Sequence, residues 1–247
     1  MKTQMMITGL LLVAAPILFT SAFTFLQVYF EYPDILRQPA GYVLERFSSG
    51  GSELVAGWYA MFFSAFLFIP IAVLLHPFLT REDTWYLPLA TTLGVLAGTV
   101  QMLGFVRWPF LVPALAASYI NSAASETTRE TISAVFLAFN QYAGVGVGEH
   151  LGFLFTASWG LLVGLAMLGS KVFPSWVGMV GILSSLGIIV GLLEPTGVTW
   201  AGAVNALAYV FWALWLLVSG IFLKKEEQGH ENPCDFDRRS SDHPKLA

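Results

Sequence analysis

Charged side chains are scarce in this sequence. Only 11% of its 247 residues are Asp, Glu, Lys or Arg, whereas a soluble domain carries about 25%. Hydrophobic residues make up 56% of the chain, and the mean hydropathy is +0.68. Because so little charge cannot cover a surface in contact with water, lipid must be the solvent for much of the protein. This excludes an ordinary soluble globular protein.

Cysteine and clustered positive charge are also scarce. Cys234 is the one cysteine, so no disulfide can form within the chain, and no Cys/His spacing typical of a zinc site occurs. Lys and Arg number 12 against 16 Asp and Glu, and they form no basic stripe. We therefore expect no nucleic-acid partner, no metal site and no cofactor.

Long apolar runs are abundant instead. A helix needs about 20 apolar residues to cross roughly 30 Å of hydrocarbon. Six segments meet that length, approximately at 5–30, 54–76, 86–107, 147–169, 175–194 and 199–223. They do not alternate with the period of two that barrel strands show, and the first is too long for a secretory signal. The sequence predicts an all-α polytopic membrane protein with a six-helix transmembrane domain at residues 1–223.

The connections between these runs predict an orientation. Cationic residues accumulate on the cytoplasmic side of bacterial membrane proteins. With both termini in the cytoplasm, that side carries Lys2, Arg81, Lys171, Lys224 and Lys225. We therefore predict an inner-membrane protein with both termini cytoplasmic. The remaining residues, 224–247, are polar and of mixed charge, which predicts a disordered cytoplasmic tail.

Two outer segments are less polar than ordinary linkers. In "DILRQPAGYVLERFSSGG" the apolar residues follow helical spacing, and Pro39 suits a first-turn position. Residues 110–143 contain a second amphipathic stretch after a Ser/Thr-rich start. We expect short helices on the outer surface, which either rest among lipid headgroups or close over a pocket.

Polar residues of five spans converge on one depth. At 1.5 Å per helical residue, they fall near the outer boundary of the hydrocarbon, whereas the other half of the spans holds little beyond scattered Ser and Thr. The set is Glu31, Gln101, Arg107, Glu149, His150, Glu194 and Asn205. Two interpretations remain open. These groups either mark where water begins, or face a cavity and pair with one another.

Charge counting sharpens the second interpretation. Arg107 precedes the apolar stretch "WPFLVP" and would need a carboxylate partner beneath it. It can neutralise one of Glu31, Glu149 and Glu194, which leaves two carboxylates beside His150 for protons, a cation or a cationic ligand. Adjacent residues of an α-helix diverge by about 100°. We therefore expect Glu149 and His150 to meet different neighbours unless the helix is irregular there.

A row of small residues runs along the fourth span. Its members are spaced four apart: Gly144, Gly148, Gly152, Thr156, Gly160 and Gly164. Such a row predicts that a neighbouring helix approaches closely. The stretch "GVGVG" resembles a nucleotide-binding loop only in spelling, because no strand precedes it and no GK[ST] follows.

Several polar motifs carry a family resemblance. "FEYPDILRQPAGYVLERF", "RWPFLVPALAASY", "NQYAGVGVGEHLGFLFTASW" and "FPSWVGMVGILSSLGIIVGLLEP" resemble those of the DUF4386-type bacterial integral membrane proteins. The resemblance extends over about residues 5–223. It implies a six-span protein of the bacterial inner membrane, and it brings no activity and no catalytic assignment.

Three functional hypotheses follow. The first is that the seven polar residues form an outward-facing pocket that binds a small cationic or amphipathic molecule for transport or sensing. The second is a membrane-embedded enzyme with Glu149 or His150 as general acid or base, against which stands the lack of a nucleophile or metal signature. The third is a non-catalytic structural or interaction protein. Membrane lipids are the expected partners in each case, and the sequence indicates no oligomeric state.

Overall fold

The computed structural model describes residues 2–229, and that part of the chain is helical without any strand. Six of its helical segments are long and apolar enough to cross a membrane. They are Lys2–Phe30, Gly51–Phe78, Leu87–Ile120, Glu126–Leu168, Ser175–Thr196 and Ala201–Glu226. The predicted fold class is confirmed, and the chain is a multi-pass membrane protein.

Within these segments the helices change winding several times. The α-helices are α1 (Lys2–Phe30), α2 (Ala40–Ser49), α3 (Gly51–Leu75), α4 (Leu87–Phe105), α5 (Arg107–Phe110), α6 (Val112–Ile120), α7 (Glu126–Phe139), α8 (Gly152–Leu168), α9 (Ser175–Val190) and α10 (Ala201–Gly229). A π-helix, Asn140–Leu151, joins α7 to α8. Short 3₁₀ segments occupy Asp34–Arg37, His76–Phe78 and Gly191–Thr196.

Six helices form a closed ring. Each of α1, α3, α4, α8, α9 and α10 packs against two others, in the order α1, α3, α4, α8, α9, α10 and back to α1. Aromatic side chains fill the middle of this ring: the Trp159 ring lies 4.7 Å from that of Phe68 and 5.6 Å from that of Trp215, between centroids. Leu183 and Leu207 on the outer surface are 65% and 60% exposed, as expected of side chains that contact lipid.

Both termini of the described chain lie at one end of the ring. There Lys224 of α10 packs over Gly9 of α1. We call this the terminal end. The opposite end carries α2, α5, α6, α7 and the π-helix, and we call it the pocket end. α10 extends through residues 224–229, the first part of the predicted tail. Residues 230–247 of that prediction lie outside the described residues.

The third and fourth spans differ from their predicted limits of 107 and 147. The third continues through α5 and α6 because backbone bonds bridge the junctions: the Leu111 amide donates to the Arg107 carbonyl at 2.9 Å. The fourth begins at Glu126, where the Ser125 hydroxyl accepts a bond from the Thr128 amide. Hydropathy marked only the apolar middle of these spans, whereas helical bonding continues into their polar ends.

The amphipathic helix predicted after Pro39 is α2, and it closes onto the protein. Its apolar side chains Val43, Leu44 and Phe47 are buried. The Phe47 ring stacks on Trp108 at 5.8 Å, and α2 packs on α6, α7 and the start of α3. The apolar face of α2 therefore packs against neighbouring helices.

Candidate functional site

A cavity of about 320 Å³ opens at the pocket end. We call it the polar cavity. Three segments form its wall: the 3₁₀ segment after α1, the π-helix continuing into α8, and the 3₁₀ segment after α9. The lining residues are Pro33, Leu36, Arg37, Asn140, Gln141, Val145, Glu149, His150, Phe153, Gly191, Glu194 and Pro195.

The π-helix is the reason that so many of its side chains share this wall. Hydrogen bonds from residue i to i+5 place more residues in each turn than the 3.6 of an α-helix. Positions four and five apart therefore stack on one face, and Gln141, Val145, Glu149 and His150 all line the polar cavity. The segment is therefore the irregular helix that the sequence analysis named as the exception, and Glu149 and His150 line the same cavity.

Glu149 supplies one of the two carboxylates in the polar cavity. It is half-buried, and it interacts electrostatically with Arg107, Glu194 and Arg37. Its own backbone belongs to the π-helix, so the carboxylate is held on a packed element. His150 lies beside it in the same wall.

Glu194 supplies the second carboxylate. It is exposed and lies over the first turn of α10, where a side chain in place of Gly202 would meet both carboxylate oxygens at 3.3 Å. A helix N-terminus stabilises negative charge. Within residues 2–229, no group of three or more His, Cys, Asp or Glu side chains is placed to hold a metal ion.

Arg107 is buried next to this cavity. It donates to the Gly104 carbonyl, and to Asn140 Oδ1 at 3.1 Å. Its guanidinium lies 5.1 Å from the centre of the Trp108 ring. A Cβ at Gly144 would stand 2.5 Å from that guanidinium, so the glycine leaves room for it. Because Gly104 belongs to the last turn of α4, the negative end of the helix dipole faces the cation.

The carboxylate partner expected for Arg107 is not in contact with it. No ion pair of Arg107 occurs in the part of the chain that the structure describes. Neutral oxygens at a helix end and on Asn140 bind the two terminal nitrogens instead, whereas Nε is buried and has no hydrogen-bond partner among the described residues. Glu149 acts on the guanidinium only at longer range. Asn140 both binds Arg107 and lines the polar cavity. Arg107 therefore lies one residue behind the cavity wall.

Glu31 belongs to a separate, exposed cluster. Its carboxylate accepts a bond from Arg46 Nε at 3.1 Å and from the Tyr42 hydroxyl at 3.1 Å. The hydrogen bond to Glu31 raises the pKa of the Tyr42 phenol. This cluster ties the end of α1 to α2 and does not line the polar cavity.

Asn205 and Gln101 join helices to each other. The buried Asn205 amide donates to the Ile188 carbonyl at 2.9 Å and so connects α10 to α9. Gln101 donates to the Thr156 hydroxyl at 3.0 Å and connects α4 to α8. Of the seven predicted site residues, the structure brings Glu149, His150 and Glu194 into the polar cavity.

Sequence reasoning missed several cavity residues. Asn140 and Gln141 precede the glycine-rich stretch, and their polarity beside it was the available signal. Tyr32, which precedes the lining residue Pro33 and does not itself line the cavity, interacts electrostatically with both Arg107 and Glu149. Burial, with a smaller contribution from Glu149, raises the pKa of the Tyr32 phenol, which stays protonated at neutral pH.

The small-residue row makes the predicted close contacts, but with two different helices. A Cβ at Gly148 would stand 2.9 Å from Gly104 Cα on α4. A Cβ at Gly164 would stand 2.9 Å from the Gly178 carbonyl oxygen on α9. The prediction of a packed seam is confirmed, and the first contact holds the π-helix against α4.

A family model described as a domain of unknown function, DUF4386, matches residues 7–220. The chain belongs to the DUF4386 family. The match extends from α1 into α10 and so includes every wall of the polar cavity. No curated protein and no solved structure matches this DUF4386 protein significantly. The resemblance stated from the sequence motifs is confirmed.

Proposed function

We propose that this DUF4386 protein binds a small organic monocation in the polar cavity. The observation that carries the proposal is the imbalance of charge around it. Glu149 and Glu194 are both in the wall, whereas Arg37 is paired with Asp34 at 3.0 Å. Arg107 then offsets one of the two carboxylates, and one negative charge remains for a cation to neutralise.

The rest of the wall favours an organic ligand. Leu36, Val145 and Phe153 offer carbon surface beside the carboxylates, and the ring of Phe153 can lie against an ammonium group. A volume of about 320 Å³ falls at the small end of the ~300–1,000 Å³ typical of ligand pockets. A small cation with carbon substituents fits both features.

The direct test is binding of tetramethylammonium to the full-length protein in lipid nanodiscs, measured by calorimetry. Because a charge-assisted contact is lost, we expect Glu149→Gln to weaken binding by about tenfold or more. The matched control is Glu45→Gln, which removes the same charge from an exposed position of α2 and is expected to leave affinity unchanged. Equal affinity of wild type and Glu149→Gln would reject the proposal.

Transport and sensing differ in one measurement. Radiolabelled tetramethylammonium accumulates in proteoliposomes if the protein transports its ligand, and this uptake is lost in Glu149→Gln. Saturable binding without uptake indicates a sensor.

The proposal also places the pocket end at the outer face of the bacterial inner membrane, with both termini in the cytoplasm. The cationic residues of the terminal end support this orientation. The single thiol Cys234 offers a probe. A membrane-impermeant maleimide should label Cys234 only after the cells are permeabilised. In a second protein that carries Cys234→Ser together with Ser122→Cys, at an exposed position of the pocket end, the same reagent should label intact cells. The opposite pattern would invert the orientation.

A further inference from the structure

A second cavity lies deeper in the ring of helices. Its volume is about 50 Å³, and we call it the inner cavity. Side chains of α1, α3, α4 and α10 line it, among them Phe19, Ala65, Phe68, Tyr209 and Ala213. Since a single water needs about 10–15 Å³ of such volume, the inner cavity has room for roughly three to five water-sized groups.

One aromatic contact joins a residue of the polar cavity to a residue of the inner cavity. Phe153 lines the polar cavity and Tyr209 lines the inner cavity. Their ring centroids lie 5.7 Å apart at an angle of 56°. Phe153 is half-buried and has no polar atom that a hydrogen bond could hold. The contact between these two rings is therefore a point where the linings of the two cavities meet.

The lining of the inner cavity is predominantly apolar, which suits an alkyl chain. Its polar groups are few. The Gln101 amide donates to Thr156, and within residues 2–229 the buried indole nitrogen of Trp212 has no hydrogen-bond partner.

The geometry points to a cationic amphiphile as the ligand. We propose that its ammonium group occupies the polar cavity beside Glu149, and that its alkyl chain passes Phe153 into the inner cavity. This inference rests on the proposed function, because the cation determines where the chain begins. It adds a separate requirement, which is recognition of a short unbranched chain.

The test is a series of alkyltrimethylammonium ions, from tetramethyl to octyltrimethyl, bound to the full-length protein in nanodiscs. Their permanent charge keeps the head group constant. We expect affinity to rise by about two- to fourfold for each of the first few methylenes. It should then level off when the inner cavity is full.

Filled-cavity variants separate binding by the protein from partition into lipid. Ala65→Leu places a larger side chain in the inner cavity, and Ala56→Leu adds the same carbons at an exposed position of the same helix. We expect Ala65→Leu to abolish the dependence on chain length while it keeps the affinity for tetramethylammonium, and Ala56→Leu to behave as wild type. If Ala65→Leu does not fold, Ala213→Leu, at a half-buried position of the same lining, replaces it.

The outcomes distinguish the two claims. If tetramethylammonium does not bind, the proposed function fails and this inference fails with it. If tetramethylammonium binds through Glu149, but chain length has the same effect in wild type and in the filled-cavity variant, the inner cavity is not a ligand site. Only a chain-length dependence that the filled-cavity variant loses supports the inference.

Discussion

Each end of the bundle has an arginine at the C-terminal end of a helix. At the terminal end, Arg81 donates to the Ala166 carbonyl of α8 at 2.9 Å, and Gly169 leaves room for its guanidinium. At the pocket end, Arg107 donates to the Gly104 carbonyl of α4, and Gly144 leaves room. Both cations meet the negative end of a helix dipole.

The two arginines differ in how their charge is compensated. Arg81 also pairs with Asp83 at 3.1 Å, and its side chain is 27% exposed. Arg107 is 8% exposed and binds the neutral amide of Asn140. Arg81 therefore completes a local surface contact. Arg107 has no carboxylate in contact within residues 2–229, and its partner Asn140 lines the polar cavity.

The largest expected effect is on the free energy of unfolding, which should fall further when Arg107 is replaced than when Arg81 is replaced. Arg107→Ala leaves buried polar partners unsatisfied, at about 1–3 kcal/mol for each. Arg81→Ala removes a partly exposed ion pair, worth about 0–1 kcal/mol, and one hydrogen bond. Thermal unfolding in nanodiscs, followed by tryptophan fluorescence, measures both. An Arg81→Ala variant that is the less stable of the two would overturn the distinction.

A smaller effect is expected at the two helix contacts of the small-residue row, one with α4 and one with α9. Gly148→Ala and Gly164→Ala both force helices apart, and overpacking of this kind costs about 1–3 kcal/mol. Only Gly148→Ala should also weaken tetramethylammonium binding, because Gly148 holds the π-helix against α4.

Gly146→Ala is the control within the same π-helix. The nearest atom to a Cβ at that position is the Gln141 carbonyl oxygen at 3.6 Å, an ordinary contact. Gly146→Ala should therefore change neither the thermal stability nor the binding of tetramethylammonium. If Gly148→Ala and Gly164→Ala weaken tetramethylammonium binding equally, the polar cavity does not depend on the contact between Gly148 and α4.

The smallest effect concerns the surface pair at the terminal end. The hydrogen bond from Arg81 holds the pKa of the Asp83 carboxyl below its ordinary value of 3.8. A depressed folded-state pKa contributes stability above the usual Asp range, and this is lost as the pH falls through the folded-state value. In Arg81→Gln the carboxyl should titrate near 3.8, as measured by NMR of labelled Asp. An unchanged titration would show that the pair does not form in solution.

Part of the polar cavity could be predicted because it depends on residue type. Glu149, His150 and Glu194 stand out in apolar surroundings, and counting residues along helices places them at the same end. The same counting could not separate Glu31 from them. Glu31 contacts Arg46 and Tyr42 because α2 folds back over the end of α1. The depth of a residue in its span does not determine how α2 folds back.

The sequence by itself determined the six spans and the row of small residues. Both follow from local chemistry: the length of apolar helix that lipid requires, and the spacing of residues without bulky side chains. Only the tertiary structure decided the π-helical winding of Asn140–Leu151 and the partners of Arg107. These depend on two contacts between segments that are distant in the chain. Gly104 lies against Gly148, and the Arg107 guanidinium fits over Gly144. A pattern along one helix carries no information about the helix that packs against it.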